Sequence, residues 1–150
     1  MLFIASDHAG FQLKKALVTY IETQLNLKVK DLGPTSFAEG DDFPDYAEPV
    51  AKEVTKSPEN LGILICGTGQ GMCIAANKVK GIRAIIGYNI TATELGKQHN
   101  NANILCLAGR VITEDHAKAI VKKFTTTTFE KEERFVRRNK KIEELEKNSV

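Results

Sequence analysis

A glycine-rich loop that begins with a cysteine is the part of this sequence best suited to chemistry. Residues 63–72 are Ile-Leu-Ile-Cys-Gly-Thr-Gly-Gln-Gly-Met, so an apolar run ends at Cys66 and is followed by Gly67, Gly69 and Gly71. Glycines permit close backbone approach and unusual dihedral angles. The free N–H groups of such a loop, and of a helix that starts there, form an anion site. The loop therefore predicts an anion site beside a thiol.

The spacing of this loop excludes three familiar motifs. The dinucleotide fingerprint GxGxxG needs a glycine where Met72 stands, and a nucleotide P-loop needs Lys-Ser/Thr where the chain has Met72-Cys73. A cysteine phosphatase would need an arginine to close the loop around phosphate, and Met72 occupies that place too. The anion is therefore not expected to be a nucleotide.

Cys66 has two interpretations from the residues alone. It is either an inert thiol buried at the end of a strand, or a thiol at a helix start. In the second case the positive end of the helix dipole favours the thiolate, which can act as nucleophile or general base. Cys106 and Cys73 lack this context, so we expect them to pack in the core and in a helix.

Other polar groups at segment ends have both a structural and a chemical interpretation. Asp7-His8 follows the first apolar run and can form a turn or helix cap. His99-Asn100 ends a predicted helix, where a histidine can interact with the helix dipole. Either pair can instead face a ligand.

Three arginines are candidates for phosphate binding. Arg110 follows the last apolar run, and Arg134 and Arg138 are four residues apart, so they share one face of a helix. Arginine matches phosphate oxygens with two parallel hydrogen bonds. The alternative is a solvated charged face.

Short apolar runs alternate with amphipathic segments and predict the fold. Strands are predicted at residues 2–5, 29–32, 61–65, 82–86 and 104–107, and helices at 11–21, 46–54, 74–78, 91–99 and 114–124. This order predicts an α/β class: a doubly wound five-stranded parallel sheet, Rossmann-like with three αβα layers, in a single domain. Ligands bind beyond the carboxyl ends of such strands, so segments 6–10, 66–71 and 108–110 and the residues after Ile86 should meet there.

The domain is predicted to span residues 1–150, with a highly charged helical arm at 129–150. This arm is either a solvated helix or a segment that packs on a partner subunit. A net charge of +2 does not indicate nucleic-acid binding. Three scattered cysteines argue against a disulfide framework and for a reducing compartment. We find no leader, no apolar run of membrane-spanning length and no zinc spacing, so we expect a cytoplasmic protein without membrane or metal.

Nearly the whole chain resembles type B ribose-5-phosphate isomerases. The matching motifs include Ser6-Asp-His-Ala-Gly10, Asp42-Phe-Pro-Asp-Tyr46, the 62–72 loop, His99-Asn100 and Gly109-Arg110. The resemblance implies an aldose–ketose isomerase of the pentose phosphate pathway that needs no cofactor. It would interconvert ribose 5-phosphate and ribulose 5-phosphate through an enediolate.

The resemblance also implies a role for each candidate residue. Cys66 would be the base that moves a proton between carbons 1 and 2, and Thr68 would handle protons on the sugar oxygens. Backbone N–H groups of residues 69–73 would hold the enediolate. Asp7 and His99 would assist ring opening.

The implied substrate site is shared in a homodimer or a tetramer. His99 and Asn100 would come from the other subunit. Phosphate would be bound across the interface by one histidine and three arginines: His8, Arg110, Arg134 and Arg138.

Three positions depart from patterns in the family. Some members have a glutamate where this chain has Met72, so Cys66 is left as the base. The usual Tyr-Pro is Phe43-Pro44 here, and the usual Arg-His is Arg134-Phe135, so a hydroxyl and an accessory imidazole are missing. An isomerase for six-carbon sugar phosphates, a nucleotide-binding module and a noncatalytic paralogue are the alternatives, and the complete set of Cys66, Thr68 and His99 argues against the last.

Overall fold

The computed structural model describes residues 1–148, and in them a parallel β-sheet is covered by helices on both faces. The five strands lie in the order β2-β1-β3-β5-β4, and every neighbouring pair is parallel. They are β1 (Leu2–Ser6), β2 (Val29–Asp31), β3 (Leu61–Cys66), β4 (Ala84–Ile86) and β5 (Ile104–Ala108). The predicted α/β fold is therefore confirmed.

Six α-helices within residues 1–148 connect or follow these strands. They are α1 (Phe11–Thr23), α2 (Pro44–Thr55), α3 (Gln70–Ala76), α4 (Ile90–Asn100), α5 (Glu114–Thr126) and α6 (Glu133–Asn148), and a short 3-10 turn precedes α1 at His8–Gly10. Among the described residues, no helix combines the length and the apolar composition needed to span a membrane.

The central strand β3 is apolar on both faces because helices cover it twice. Leu64 belongs to the core formed with α2 and α3, whereas Ile63 and Ile65 belong to the core formed with α1 and α5. All three side chains are fully buried, and burying each contributes about 1.5–3 kcal/mol to stability. This two-sided burial explains why the strand lacks polar alternation.

Most elements differ from the predicted ones by one or two residues at an end, and α3 starts four residues earlier, at Gln70 instead of residue 74. Helix α2 starts at Pro44, before Tyr46, because proline is favoured in the first turn of a helix. Strand β4 starts at Ala84 because the Arg83 N–H donates to the Asn103 side chain at 2.8 Å instead of continuing the ladder. Side-chain hydrogen bonds of this kind leave no apolar signal.

Helix α4 runs from the side of the sheet where the strands end, the carboxyl edge, to the side where they begin, the amino edge. It starts at Ile90, shortly after the carboxyl end of β4, and ends at Asn100, shortly before the amino end of β5. With 11 residues it is about 16 Å long. His99 and Asn100 therefore lie at the amino edge of the sheet.

Helix α6 packs on this end of α4 in the same chain. The ring of Phe135 is 3% exposed and stacks on His99, with 4.1 Å between centroids. The Asn139 side chain donates to the His99 carbonyl at 2.8 Å. The interpretation of the arm as a fully solvated helix is thus wrong for the face of α6 that carries Phe135 and Asn139. Packing on a partner stays a prediction, and residues 149–150 of the predicted arm lie outside the described residues.

Candidate active site

The carboxyl ends of β1, β3 and β5 bring the loop cysteine close to two of the predicted ligand-binding segments. These strands are neighbours in the sheet, and their ends are joined by backbone hydrogen bonds. The Asp7 N–H donates to the Ile65 carbonyl at 3.1 Å, and the Arg110 N–H donates to the Gly67 carbonyl at 3.0 Å. Asp7, Gly67 and Arg110 are therefore held together, as the sequence predicted.

The Cys66 thiol is in contact with a backbone donor. Its Sγ atom accepts the Gly69 N–H at 3.2 Å, and the residue is 5% exposed. Gly69 precedes α3 with φ +77°, and a β-carbon there would lie 3.2 Å from the Leu107 carbonyl group. Glycine is thus required to direct this N–H at the sulfur. The interpretation of Cys66 as a base requires a donor beside the sulfur, and its role stays a prediction.

The loop also presents a hydroxyl and a guanidinium. Thr68 is exposed, and its Oγ1 accepts the Gln70 N–H at 3.4 Å. Arg110 lies beside the loop, since a β-carbon at Gly67 would be 3.5 Å from its Cδ and 3.7 Å from its Nη1. The thiol, a hydroxyl and a cation therefore occupy one edge of the sheet.

Two residues that differ from the family pattern, Phe43 and Met72, have a packing role at this edge. A β-carbon at Gly71 would lie 2.7 Å from Phe43 Cζ, so the Phe43 ring covers the first turn of α3. Met72 is fully buried in the core beneath α2 and α3. Position 72 therefore supplies neither an acid nor a base.

Asp7 and His8 adopt the predicted turn and also meet a residue that sequence reasoning missed. Asp7 Oδ1 accepts the Gly10 N–H at 3.1 Å. Asp41 Oδ1 accepts the His8 N–H at 2.9 Å and lies 2.7 Å from His8 Nδ1. The available signal was an acidic pair after Gly40 in the loop before a helix.

Asp7, His8 and Asp41 each offer one atom that could bind a metal, a carboxylate oxygen or a ring nitrogen. These atoms lie within 4.8 Å of one another, so this trio is where a metal could bind.

The charge state of this cluster follows from its hydrogen bonds. Burial opposes ionisation of Asp41, but hydrogen bonds from the backbone and ring of His8 outweigh it and lower the pKa of Asp41 below its ordinary value. Burial, and then a hydrogen bond to Asp41, raise the pKa of Tyr46. At neutral pH, Asp41 is therefore a carboxylate and Tyr46 a neutral phenol.

Four predicted site residues do not join the cysteine within one chain. His99 and Asn100 end α4 at the amino edge, and α6 packs Phe135 on His99 there, so Arg134 and Arg138 lie on the same side. The Cys66 loop lies at the carboxyl edge. One chain therefore assembles only part of the predicted set.

Comparisons with known proteins identify the family. The family model described as ribose/galactose isomerase matches residues 2–142. A Mycoplasma genitalium protein named probable ribose-5-phosphate isomerase B is 48% identical over 130 residues, covering 86% of this chain and 85% of the relative. A Mycolicibacterium paratuberculosis ribose-5-phosphate isomerase B is 36% identical over 146 residues, covering 97% and 91%.

A solved structure is similar across the whole fold. The crystal structure of ribose-5-phosphate isomerase B from Mycoplasma genitalium with bound ribulose 5-phosphate has a TM-score of 0.94 and 46% identity. The match covers 99% of this chain and 97% of that one. With a family model that spans most of the sequence, this chain belongs to the ribose/galactose isomerase family.

Proposed function

We propose that this chain interconverts ribose 5-phosphate and ribulose 5-phosphate through an enediolate, with Cys66 as the base. The observation that carries the proposal is the Gly69 N–H donated to Cys66 Sγ at 3.2 Å. It occurs in a fold that superposes on an isomerase crystallised with ribulose 5-phosphate. An enediolate isomerisation needs a base, a proton shuttle and an anion site, and the carboxyl edge offers all three.

Each chemical step has a residue suited to it. The Cys66 thiolate takes the proton from carbon 2 of the open-chain aldose and returns it to carbon 1. The Thr68 hydroxyl moves a proton between the two sugar oxygens. The N–H groups of Gly71 and Met72 hold the negative enediolate, because those of Gly69, Gln70 and Cys73 donate within the loop and α3. A positioned base contributes about 10²–10⁴-fold, and an anion hole about 10²–10³-fold.

Substrate binding in this proposal uses both edges of the sheet. Asp7 and His99 assist ring opening and Asn100 contacts the sugar, while phosphate is bound by His8, Arg110, Arg134 and Arg138. Asp7, His8 and Arg110 lie at the carboxyl edge of the sheet. The other four residues, His99, Asn100, Arg134 and Arg138, lie at the amino edge, so the amino edge of a partner must reach the Cys66 loop.

Exposed apolar side chains beside the edge strand β4 support such a homodimer. Ile74 on α3 is 62% exposed, Tyr88 after β4 is 63% exposed and Leu95 on α4 is 42% exposed. Covering these side chains would bury apolar area that the single chain leaves in water. A tetramer would add a second interface, for which Ile142 on α6 is an exposed candidate.

The cysteines within residues 1–148 are all free, which supports a reducing compartment such as the cytoplasm.

The direct test is a coupled assay with ribose 5-phosphate in the presence and absence of EDTA. We expect turnover without added metal and no effect of the chelator, because the proposed steps are all proton transfers by side chains. A six-carbon aldose phosphate serves as the comparison substrate, and faster turnover on it would reassign the substrate. Activity that collapses with EDTA and returns with a divalent cation would show that the metal-free mechanism is wrong, and would point to Asp7, His8 and Asp41.

Replacing Arg134 or Arg138 by alanine is expected to raise KM more than it lowers kcat. Phosphate contacts are made in the ground state and in the transition state alike. Losing one charge-assisted contact weakens binding by roughly 1.5–3 kcal/mol. Steady-state kinetics on purified variants measures both constants.

The matched control for these variants is Arg137→Ala. Arg137 lies between the two on the same helix and is not among the predicted phosphate ligands. Its Nη1 pairs with Glu133 Oε1 at 3.2 Å, much as Arg134 Nε pairs with Glu132 Oε2 at 2.9 Å, so the loss of a surface ion pair is matched. Its KM should stay near the wild-type value. If Arg134→Ala or Arg138→Ala behaves like this control, that arginine belongs to a solvated face and not to the phosphate site.

A further inference from the structure

The loop before α2 supplies a carboxylate, that of Asp41, which hydrogen-bonds to His8 in the 3-10 turn. Asp41 Oδ1 accepts the His8 backbone N–H at 2.9 Å and lies 2.7 Å from the ring Nδ1, although the residues are 33 positions apart. One oxygen thus restrains both the main chain and the imidazole. We propose that Asp41 is a positioning residue that directs His8 Nε2 toward the substrate phosphate. This proposal rests on the proposed function, because it takes phosphate as the group that His8 binds.

The hydrogen bond decides which ring nitrogen carries the proton. A carboxylate can only accept, so Nδ1 must donate to it. In a neutral imidazole the second nitrogen is then an acceptor, and in the cation it is a second donor. Either way Nδ1 is occupied by Asp41, and Nε2 is the nitrogen left for a ligand.

The surroundings keep this pair in one geometry. The Asp41 side chain is 10% exposed and that of His8 is 23% exposed. The Phe37 ring meets the imidazole edge-on at 6.3 Å and is itself met by Phe11 at 6.2 Å. These contacts restrict rotation of the ring, so the carboxylate and the aromatic pair together fix where Nε2 faces.

The charged groups around the pair are acidic on the side of Asp41. The Asp7 carboxylate lies within 4.8 Å of the ligand atoms of both residues, and the Tyr46 hydroxyl lies beside Asp41. Arg110 stands across the edge, next to Gly67. A phosphate bound between His8 and Arg110 would avoid the acidic side, which is consistent with Nε2 as the ligand-facing nitrogen.

The test compares Asp41→Ala, Asp41→Asn and the control Asp42→Asn, whose side chain is exposed one residue away. The nitrogen resonances of His8 in ¹⁵N-histidine-labelled protein are recorded at about pH 9, where a free imidazole is neutral, and His8→Asn identifies them. Wild type and Asp42→Asn should show Nδ1 protonated. Asp41→Ala should shift the proton toward Nε2, and Asp41→Asn, which keeps an acceptor oxygen, should shift it less.

Kinetics and inorganic phosphate provide the functional readout. Asp41→Ala should raise KM for ribose 5-phosphate about tenfold while kcat changes less than about threefold, as for a lost charge-assisted contact. Inorganic phosphate, titrated against the His8 Nε2 resonance, should bind more weakly by a similar factor. Melting temperatures of all variants separate these effects from general destabilisation, which would not change the tautomer.

Each outcome decides the proposal. An unchanged tautomer in Asp41→Ala overturns it, and so does a changed tautomer with unchanged phosphate affinity. If the wild-type protein fails to turn over ribose 5-phosphate, the proposed function is wrong. The role of Asp41 is then still judged by the tautomer and by the phosphate titration, since neither depends on turnover.

Discussion

Replacing Cys66 by alanine is expected to lower kcat at least about 100-fold while leaving substrate affinity near the wild-type value, because a general base acts on the transition state. The Cys66 thiol is the group that receives the Gly69 N–H at 3.2 Å. Met72, in the first turn of α3, is buried and cannot take a proton. No second base is therefore available in this loop to replace the thiolate. Steady-state rates combined with calorimetric binding of ribose 5-phosphate measure the two effects separately.

Two further variants make this experiment specific. Cys66→Ser keeps the size of the side chain and replaces the thiol with a hydroxyl that stays protonated, so it should be nearly as inactive as alanine. Cys73→Ala changes a second, half-buried thiol, whose Sγ contacts the Ala84 carbonyl at 3.4 Å, and it should keep wild-type turnover. Retention of more than about a tenth of wild-type turnover in Cys66→Ala would remove Cys66 as the base.

The fold was predictable because its main determinant is local. Apolar runs without polar alternation mark strands covered on both faces, and β3, with Ile63 to Ile65 fully buried, shows why. The start of β4 differed from the predicted one because it depends on a single polar contact, from the Arg83 N–H to the Asn103 side chain. Contacts between residues 20 positions apart leave no periodic pattern, so sequence reasoning could not place them.

The carboxyl-edge half of the site was predictable for a topological reason, whereas the rest depended on long-range contacts. Parallel strands bring their carboxyl ends to one edge, which places Asp7, Cys66 and Arg110 together. Asp41 reaches His8 from a loop that has no regular structure, and loop closure is not encoded in hydrophobic spacing. The stacking of Phe135 on His99 was likewise hidden, because the highly charged arm shows few apolar residues.

The separation of His99 from Cys66 leads to the second prediction with a large effect. Helix α4 carries His99 to the amino edge of the sheet, and the ring is held there by Phe135 at 4.1 Å. In a two-fold dimer, the amino edge of one chain can meet the carboxyl edge of the other. We therefore expect each site to combine the Cys66 loop of one subunit with His99 of its partner.

Mixing inactive Cys66→Ala protein with inactive His99→Asn protein is expected to restore about a quarter of wild-type activity after subunit exchange. Random exchange makes about half of the dimers mixed, and each mixed dimer contains one intact site out of two. His99→Asn is preferred because a planar side chain retains part of the packing against Phe135, and His99→Ala serves as the second variant. Exchange is followed by native mass spectrometry, and a double variant carrying both changes, mixed with either single variant, is the control that should stay inactive. If mixed dimers form and no activity returns, His99 acts within its own chain or not at all, because a site built from one subunit gains nothing from the exchange.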